Sequence, residues 1–303
     1  MPTSPRILIV VACSFLILSA GAGCGGGRQA NPILARLNQA KQIADAELRA
    51  IELSQISSEM AAAGDMSGAA EVLSSASSAA GEISDAKGRA EALNAIALAY
   101  GNMERKYEAR DLVDKITSAA REVEDVEARV GILAGLGRTQ GAYLEESDEA
   151  IDTLSNAESE VDQIERPVGR VEALTTIALA YFSIKQPDET ERLLTAATES
   201  ARSIEDPRDQ VNGLIYIAAR VKRLEQNERA KELLTEAREK AGRIPEPLSR
   251  AYAYADLGRE LQALGDAATA KQLFDDAHNL GDQVDSSMRP SLMDKIDAAR
   301  QGR

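Results

Sequence analysis

The chain has 303 residues, 44% hydrophobic but only 3% aromatic and without Trp, and it carries 49 acidic against 35 basic side chains. A formal net charge of -14 argues against nucleic acid as the main ligand and against adhesion of the folded body to anionic lipid, because both need clustered Lys and Arg. An apolar stock of Ala, Leu, Ile and Val, without a series of alternating strands and hairpins, predicts an all-α chain.

At the amino terminus Arg6 precedes an apolar run from Ile7 to Ala20, followed by Gly21-Ala22-Gly23-Cys24-Gly25-Gly26-Gly27. A positive residue, an apolar stretch too short for a comfortable membrane span and a small-residue region read as an export signal over residues 1–23. This segment resembles a bacterial lipoprotein signal, whose mature chain begins at a lipid-modified cysteine. The resemblance implies lipidation of Cys24 and a Gly-rich tether over residues 24–30, although Gly21 stands where the pattern usually has Leu. Cys13 would leave with the signal, so Cys24 would be the one mature cysteine, with no partner for an internal disulfide. The alternatives are cleavage after Ala22, retention as an anchor, and a free thiol at Cys24. The expectation is therefore an exported protein held at the cell envelope by an amino-terminal lipid, with no other membrane contact. Gly25 lacks the acidic character that retains some lipoproteins at the inner membrane and so points to the outer one; a soluble periplasmic or secreted chain is the alternative.

From Ala46 to Ser286 the chain repeats itself. Arg49, Arg89, Arg129, Arg170, Gln210 and Arg250 fall in one column, and Ile56, Ile96, Leu136, Ile177, Ile217 and Leu257 in another. Ile83, Val123, Ile164, Ile204, Ile244 and Val284 make a third column at the far end of each copy. The period is forty residues, with one extra in the third copy, which predicts a solenoid of stacked units. The units run 46–85, 86–125, 126–166, 167–206, 207–246 and 247–286. In the second, Leu93, Ile96, Ala97 and Tyr100 make one helix face, and Ala109, Leu112, Val113 and Ile116 make a second after a polar break. Each unit thus reads as two antiparallel helices. Gly64-Asp65 and Gly265-Asp266 mark the turn in the first and sixth copies, and Pro187-Asp188 does so in the fourth. Pro167, Pro207 and Pro247 open units where a first-turn proline is tolerated. Residues 31–45 and 287–303 read as single capping helices for the two exposed ends.

These units resemble the tetratricopeptide repeat family. Its order of large apolar residue, Leu with a small residue, aromatic, then small, large apolar and Ala appears in the second copy as Leu93, Ile96-Ala97, Tyr100, Ala109, Val113 and Ile116. The fourth copy has Leu174, Ile177-Ala178, Tyr181, Thr190, Leu194 and Ala197 at those places. The sixth has Tyr254, Leu257-Gly258, Leu261, Ala270, Phe274 and Ala277. The family's period is about 34 residues, so these units are longer. The resemblance implies a right-handed superhelical solenoid of six antiparallel helix pairs, with first helices lining the concave side. It also implies a protein or peptide partner. The family's carboxylate clamp is not matched, since Leu98 stands where a second Asn would be needed beside Asn94.

The small column Ala97, Gly137, Ala178, Ala218 and Gly258 reads as a close-approach site between helices. Asp45, Asp85, Asp125 and Glu246 each precede the column Arg by four residues, which predicts acid–base pairing at helix starts rather than a ligand ladder. One histidine, His278, and no mature cysteine cluster leave no metal, cofactor or catalytic constellation, and no nucleotide-binding loop or nucleophile elbow occurs. The paired acids Glu145-Glu146 and Asp275-Asp276 read as solvated helix ends. On the inward side of units three to six, Arg138, Leu179, Phe182, Ile215, Lys222, Arg223 and Arg259 are the candidate contacts for an acidic and apolar peptide. The expected function is a non-enzymatic scaffold for protein–protein interaction at the envelope; the alternative is a structural subunit of an envelope assembly or secretion complex.

Overall fold

The structure is a computed structural model and describes residues 32–302. The expected export signal, the tether and the expected lipidation of Cys24 lie outside the described residues. Within them there are fourteen α-helices and no strand, so the all-α expectation is borne out. After α1 (Pro32–Ala40) come six pairs: α2 (Ala46–Ala62) with α3 (Met66–Gly81), α4 (Ala86–Asn102) with α5 (Lys106–Glu122), and α6 (Val126–Thr139) with α7 (Ser147–Ser159). The remaining pairs are α8 (Pro167–Ser183) with α9 (Pro187–Arg202), α10 (Pro207–Val221) with α11 (Asn227–Ala241), and α12 (Pro247–Ala263) with α13 (Ala267–Leu280). Helix α14 (Arg289–Arg300) closes the array.

Each first helix packs against its own second helix and also against the next first helix, as α4 does against α6 and α8 against α10. Successive second helices are bridged instead by long side chains, such as Arg192 of α9 to Glu158 of α7 and Arg202 of α9 to Glu236 of α11. The first helices therefore form the tighter layer. The ends are covered: Leu37 and Ala40 of α1 and Leu292, Ile296 and Ala299 of α14 are buried. Arg36 fastens α1 to Glu52 and Glu59 of α2.

The recurring columns acquire physical reasons. The far-end residues Ile83, Val123, Ile164, Ile204, Ile244 and Val284 are all buried. Column arginines grip the carbonyl of the far-end residue six places back: Arg49 to Ile43, Arg89 to Ile83, Arg129 to Val123 and Arg170 to Ile164. Arg49, Arg89 and Arg129 then pair with Glu82, Glu122 and Glu160, near the end of the second helix of their own unit. The expected helix-start pairing is corrected here. Asp45, Asp85, Asp125 and Glu246 are N-caps that accept from backbone N–H groups of the first turn, such as Leu48 and Gly88, and this use turns them away from the arginines.

All six turns close alike. The residue before each N-cap is left-handed: Gly64 (φ 88°), Glu104 (59°), Glu145 (62°), Lys185 (61°), Glu225 (62°) and Gly265 (83°). In the fourth unit Lys185 therefore makes the turn, while Pro187 opens α9. The next N–H usually reaches five residues back, as from Arg105 to Tyr100 O and from Gln226 to Val221 O. In the third unit Glu146 reaches six back, to Gln140 O, because the extra residue is taken up by a π-helical turn over Gln140–Leu144. The buried apolar side chains form two clusters that meet at this same unit. Val130 and Ala134 of α6 belong to one, Ile132 and Leu136 to the other, and Leu133 packs against both.

Candidate functional site

The predicted contact residues do not form one surface. From α10 to α14 three cations, Lys222, Arg259 and Lys295, share two carboxylates. Lys222 Nζ lies 2.8 Å from Glu260 Oε2, and Arg259 Nη2 lies 3.3 Å from Glu260 Oε1. Arg259 Nη1 also faces Asp256 Oδ1 at 3.6 Å, and Lys295 Nζ of α14 reaches that oxygen at 2.8 Å. Glu260 is buried. Lys222 and Arg259 are thus ion-paired within the fold and are not free basic contacts. Arg223 is exposed and outside this network. Ile215 is also corrected. It is 8% exposed because its register, shared with Thr175 and Ala255, is the packed seam between consecutive first helices.

Arg138 and Leu179 come together. They line a notch of about 260 Å³ between α6 and α8, with Gly131, Ala134, Gly135, Thr176, Ala180 and Ser183. No carboxylate lines it. Among the described residues Arg138 has no ion-pair partner, and its Nε is shielded from solvent without a hydrogen bond. A buried donor left in this state costs about 1–3 kcal/mol. Phe182 lies one turn beyond Leu179 on α8 and is 49% exposed.

The three glycines of α6 have different surroundings. A Cβ on Gly135 would sit 2.2 Å from Asn94 Nδ2, so α4 and α6 approach closely there. Asn94 Nδ2 donates to Ile132 O at 3.1 Å across that seam, while its buried Oδ1 has no partner. Gly137 lets Leu154 of α7 pack against the helix, whereas a Cβ on Gly131 would meet nothing within 4 Å. The π turn begins two residues after Arg138 and sets Tyr143 against Gly101 of α4. Beyond the notch, Tyr216 of α10 has its hydroxyl 3.4 Å from Thr176 Oγ1, with the Arg220 guanidinium 3.5 Å over its ring.

One edge of the face is acidic. Burial pushes the Glu172 carboxyl above the usual range; the nearby Glu127 charge adds to this, and Arg166 and Arg220 oppose it. Arg166 stands between the two acids, 3.6 Å from Glu127 and 3.8 Å from Glu172. The paired acids of the sequence are used structurally: Glu145 binds Lys106, Glu146 binds Arg110 and Asp275 binds Arg300. His278 is exposed, and no group of three potential metal ligands occurs among the described residues. No helix of the described residues is long and apolar enough to cross a membrane.

No family model matches the chain, and no curated protein matches it either. Solved structures with a related helical arrangement include the Ton1535 protein of Thermococcus onnurineus, at 14% identity and a TM-score of 0.38, covering 86% of this chain and 94% of that one. A kinesin light chain from Podosopora anserina with TPR-like repeats is 18% identical, with a TM-score of 0.37 over 67% of this chain and 98% of its own. A signal-transduction ATPase of Pyrococcus horikoshii with a tetratricopeptide repeat sensor is 14% identical, with a TM-score of 0.39 over 86% of this chain and 43% of that one. At such values the architecture rests on the helix contacts themselves.

Proposed function

We propose that this protein is an exported, lipid-anchored, non-enzymatic scaffold that holds a segment of a partner protein on its first-helix face at the cell envelope. The observation that supports binding at this face is the notch between α6 and α8. There Arg138 stands without a counter-ion among the described residues, whereas Lys222 and Arg259 farther along are paired with carboxylates. A solenoid presents much surface for its mass, and a partly apolar face with one uncommitted charge suits recognition of a chain segment. The lipid anchor draws its support from the residues around Cys24.

A photo-crosslinking amino acid introduced at Leu179 tests the face in intact cells, with Tyr107, 80% exposed on α5, as the control position. A discrete protein adduct from position 179 and none from 107 is the expected result; equal labelling from both removes the proposal. Mass spectrometry of the mature amino terminus tests the anchor, and a chain beginning unmodified at Gly23 ends that part.

A further inference from the structure

We infer that the notch between α6 and α8 is a subsite for a carboxylate side chain, Asp or Glu, of an extended partner segment. Arg138 supplies the charge, and Leu179 with Phe182 seats an adjacent apolar residue. This rests on the reading of the first-helix face given above and names the chemistry that the face selects.

Three observations carry it. The first is charge: Arg138 has no carboxylate partner, no acidic side chain lines the notch, and its Nε is a sheltered donor without an acceptor. A guanidinium pairs a carboxylate through two parallel N–H groups, and Arg138 makes no such pairing among the described residues. The second is size. About 260 Å³ lies below the usual range of roughly 300–1,000 Å³ for small-molecule pockets, so the notch suits a side chain rather than a cofactor. With one cation among its lining residues, it does not balance a polyphosphate or a nucleic-acid backbone. The third is local irregularity. One wall of the notch, α6, belongs to the unit that carries the extra residue, the π turn and the junction of the two apolar clusters. These departures converge on α6, where a Cβ on Gly131 would meet nothing within 4 Å.

The test presents the full chain with a randomised display library of capped nonapeptides, then resynthesises enriched sequences with Glu or Gln at the acidic position. Enriched peptides should place Asp or Glu beside Leu, Ile or Phe, and Glu→Gln should weaken binding about tenfold, as loss of one charge-assisted pair does. In Arg138→Gln the Glu/Gln ratio should fall to about one, with partial retention in Arg138→Lys. Gly131→Leu should abolish binding of both forms. A Glu/Gln ratio that survives Arg138→Gln, or enrichment without acidic residues, overturns the carboxylate inference; if Gly131→Leu still blocks binding, the first-helix face stands as the partner site. Binding indifferent to both positions, or no enrichment at all, overturns the subsite and the face together. Arg138-dependent self-association in sedimentation would make a second copy the occupant and overturn the peptide assignment.

Discussion

Two stretches of one helical face differ in how they treat their charges. Between α10 and α14, Lys222, Arg259 and Lys295 meet Glu260 and Asp256, and the small residue Gly258 is closed over by Phe274. Between α6 and α8, Arg138 meets no acid and Gly131 faces open space. Both stretches share the period, the buried columns and the helix pairing. The shared pattern builds the array, and its local failures mark where the array has something to bind. A charge already paired inside the fold adds rigidity; a sheltered charge without a partner costs stability that only a ligand returns.

The sharpest test of this difference lies in the glycines. A Cβ on Gly258 would stand 2.7 Å from Phe274 Cε1, so Gly258→Leu should lower stability by about 3 kcal/mol through overpacking. Gly131→Leu should raise stability by about 1 kcal/mol, the ordinary gain on replacing an exposed helical glycine. Denaturant unfolding of both variants decides it, and equal losses would erase the contrast. Next comes Glu260→Ala, which strips a partner from both Lys222 and Arg259. It should cost about 2 kcal/mol, under the ~3–5 kcal/mol of a wholly buried pair, because Lys222 keeps 27% of its side chain in solvent. Arg138→Met removes a charge that nothing balances; its unfolding free energy should equal or exceed wild type, by at most about 1 kcal/mol. A clear loss would mean that Arg138 is structural.

The smallest effect is in pH. Glu172, beside the notch, has its folded-state pKa raised by burial and by Glu127, so its contribution to stability is complete below the ordinary glutamate range and is lost as pH rises through the folded value. Glu246, Asp266 and Asp285, at helix and turn starts toward the other end, are lowered, led in each case by a hydrogen bond from a nearby Ser or Thr side chain. Their contribution is present above the ordinary carboxylate range and fades as pH falls through the folded values. Glu172→Gln should therefore melt above wild type at pH 7, with the advantage vanishing in mild acid. An advantage that grows as pH falls would reverse the assignment.

Much of the fold was legible because it is local and periodic. Apolar columns at one register bury themselves in every unit, and caps such as Asp85 act within three residues. The left-handed turn was legible only where Gly64 and Gly265 occupy it; Glu104, Glu145, Lys185 and Glu225 hold the same conformation without any compositional mark. The site was legible in part. Arg138, Leu179 and Phe182 could be read from register, but the commitment of Lys222 and Arg259 could not. Glu260 lies 38 residues from Lys222, and only packing of α10 against α12 makes them neighbours. Gly131 was missed as part of this surface, although the glycines of α6 and the extra residue of the third copy were visible departures from the pattern.

The sequence by itself determined the helices, their pairing and the columns that hold consecutive units together, because each follows from hydrophobic periodicity and short-range capping. Tertiary structure decided which charges are paired, where the extra residue is absorbed and which glycine leaves an opening. Those outcomes depend on side chains about forty residues apart meeting across a helix seam, a distance over which no local preference acts.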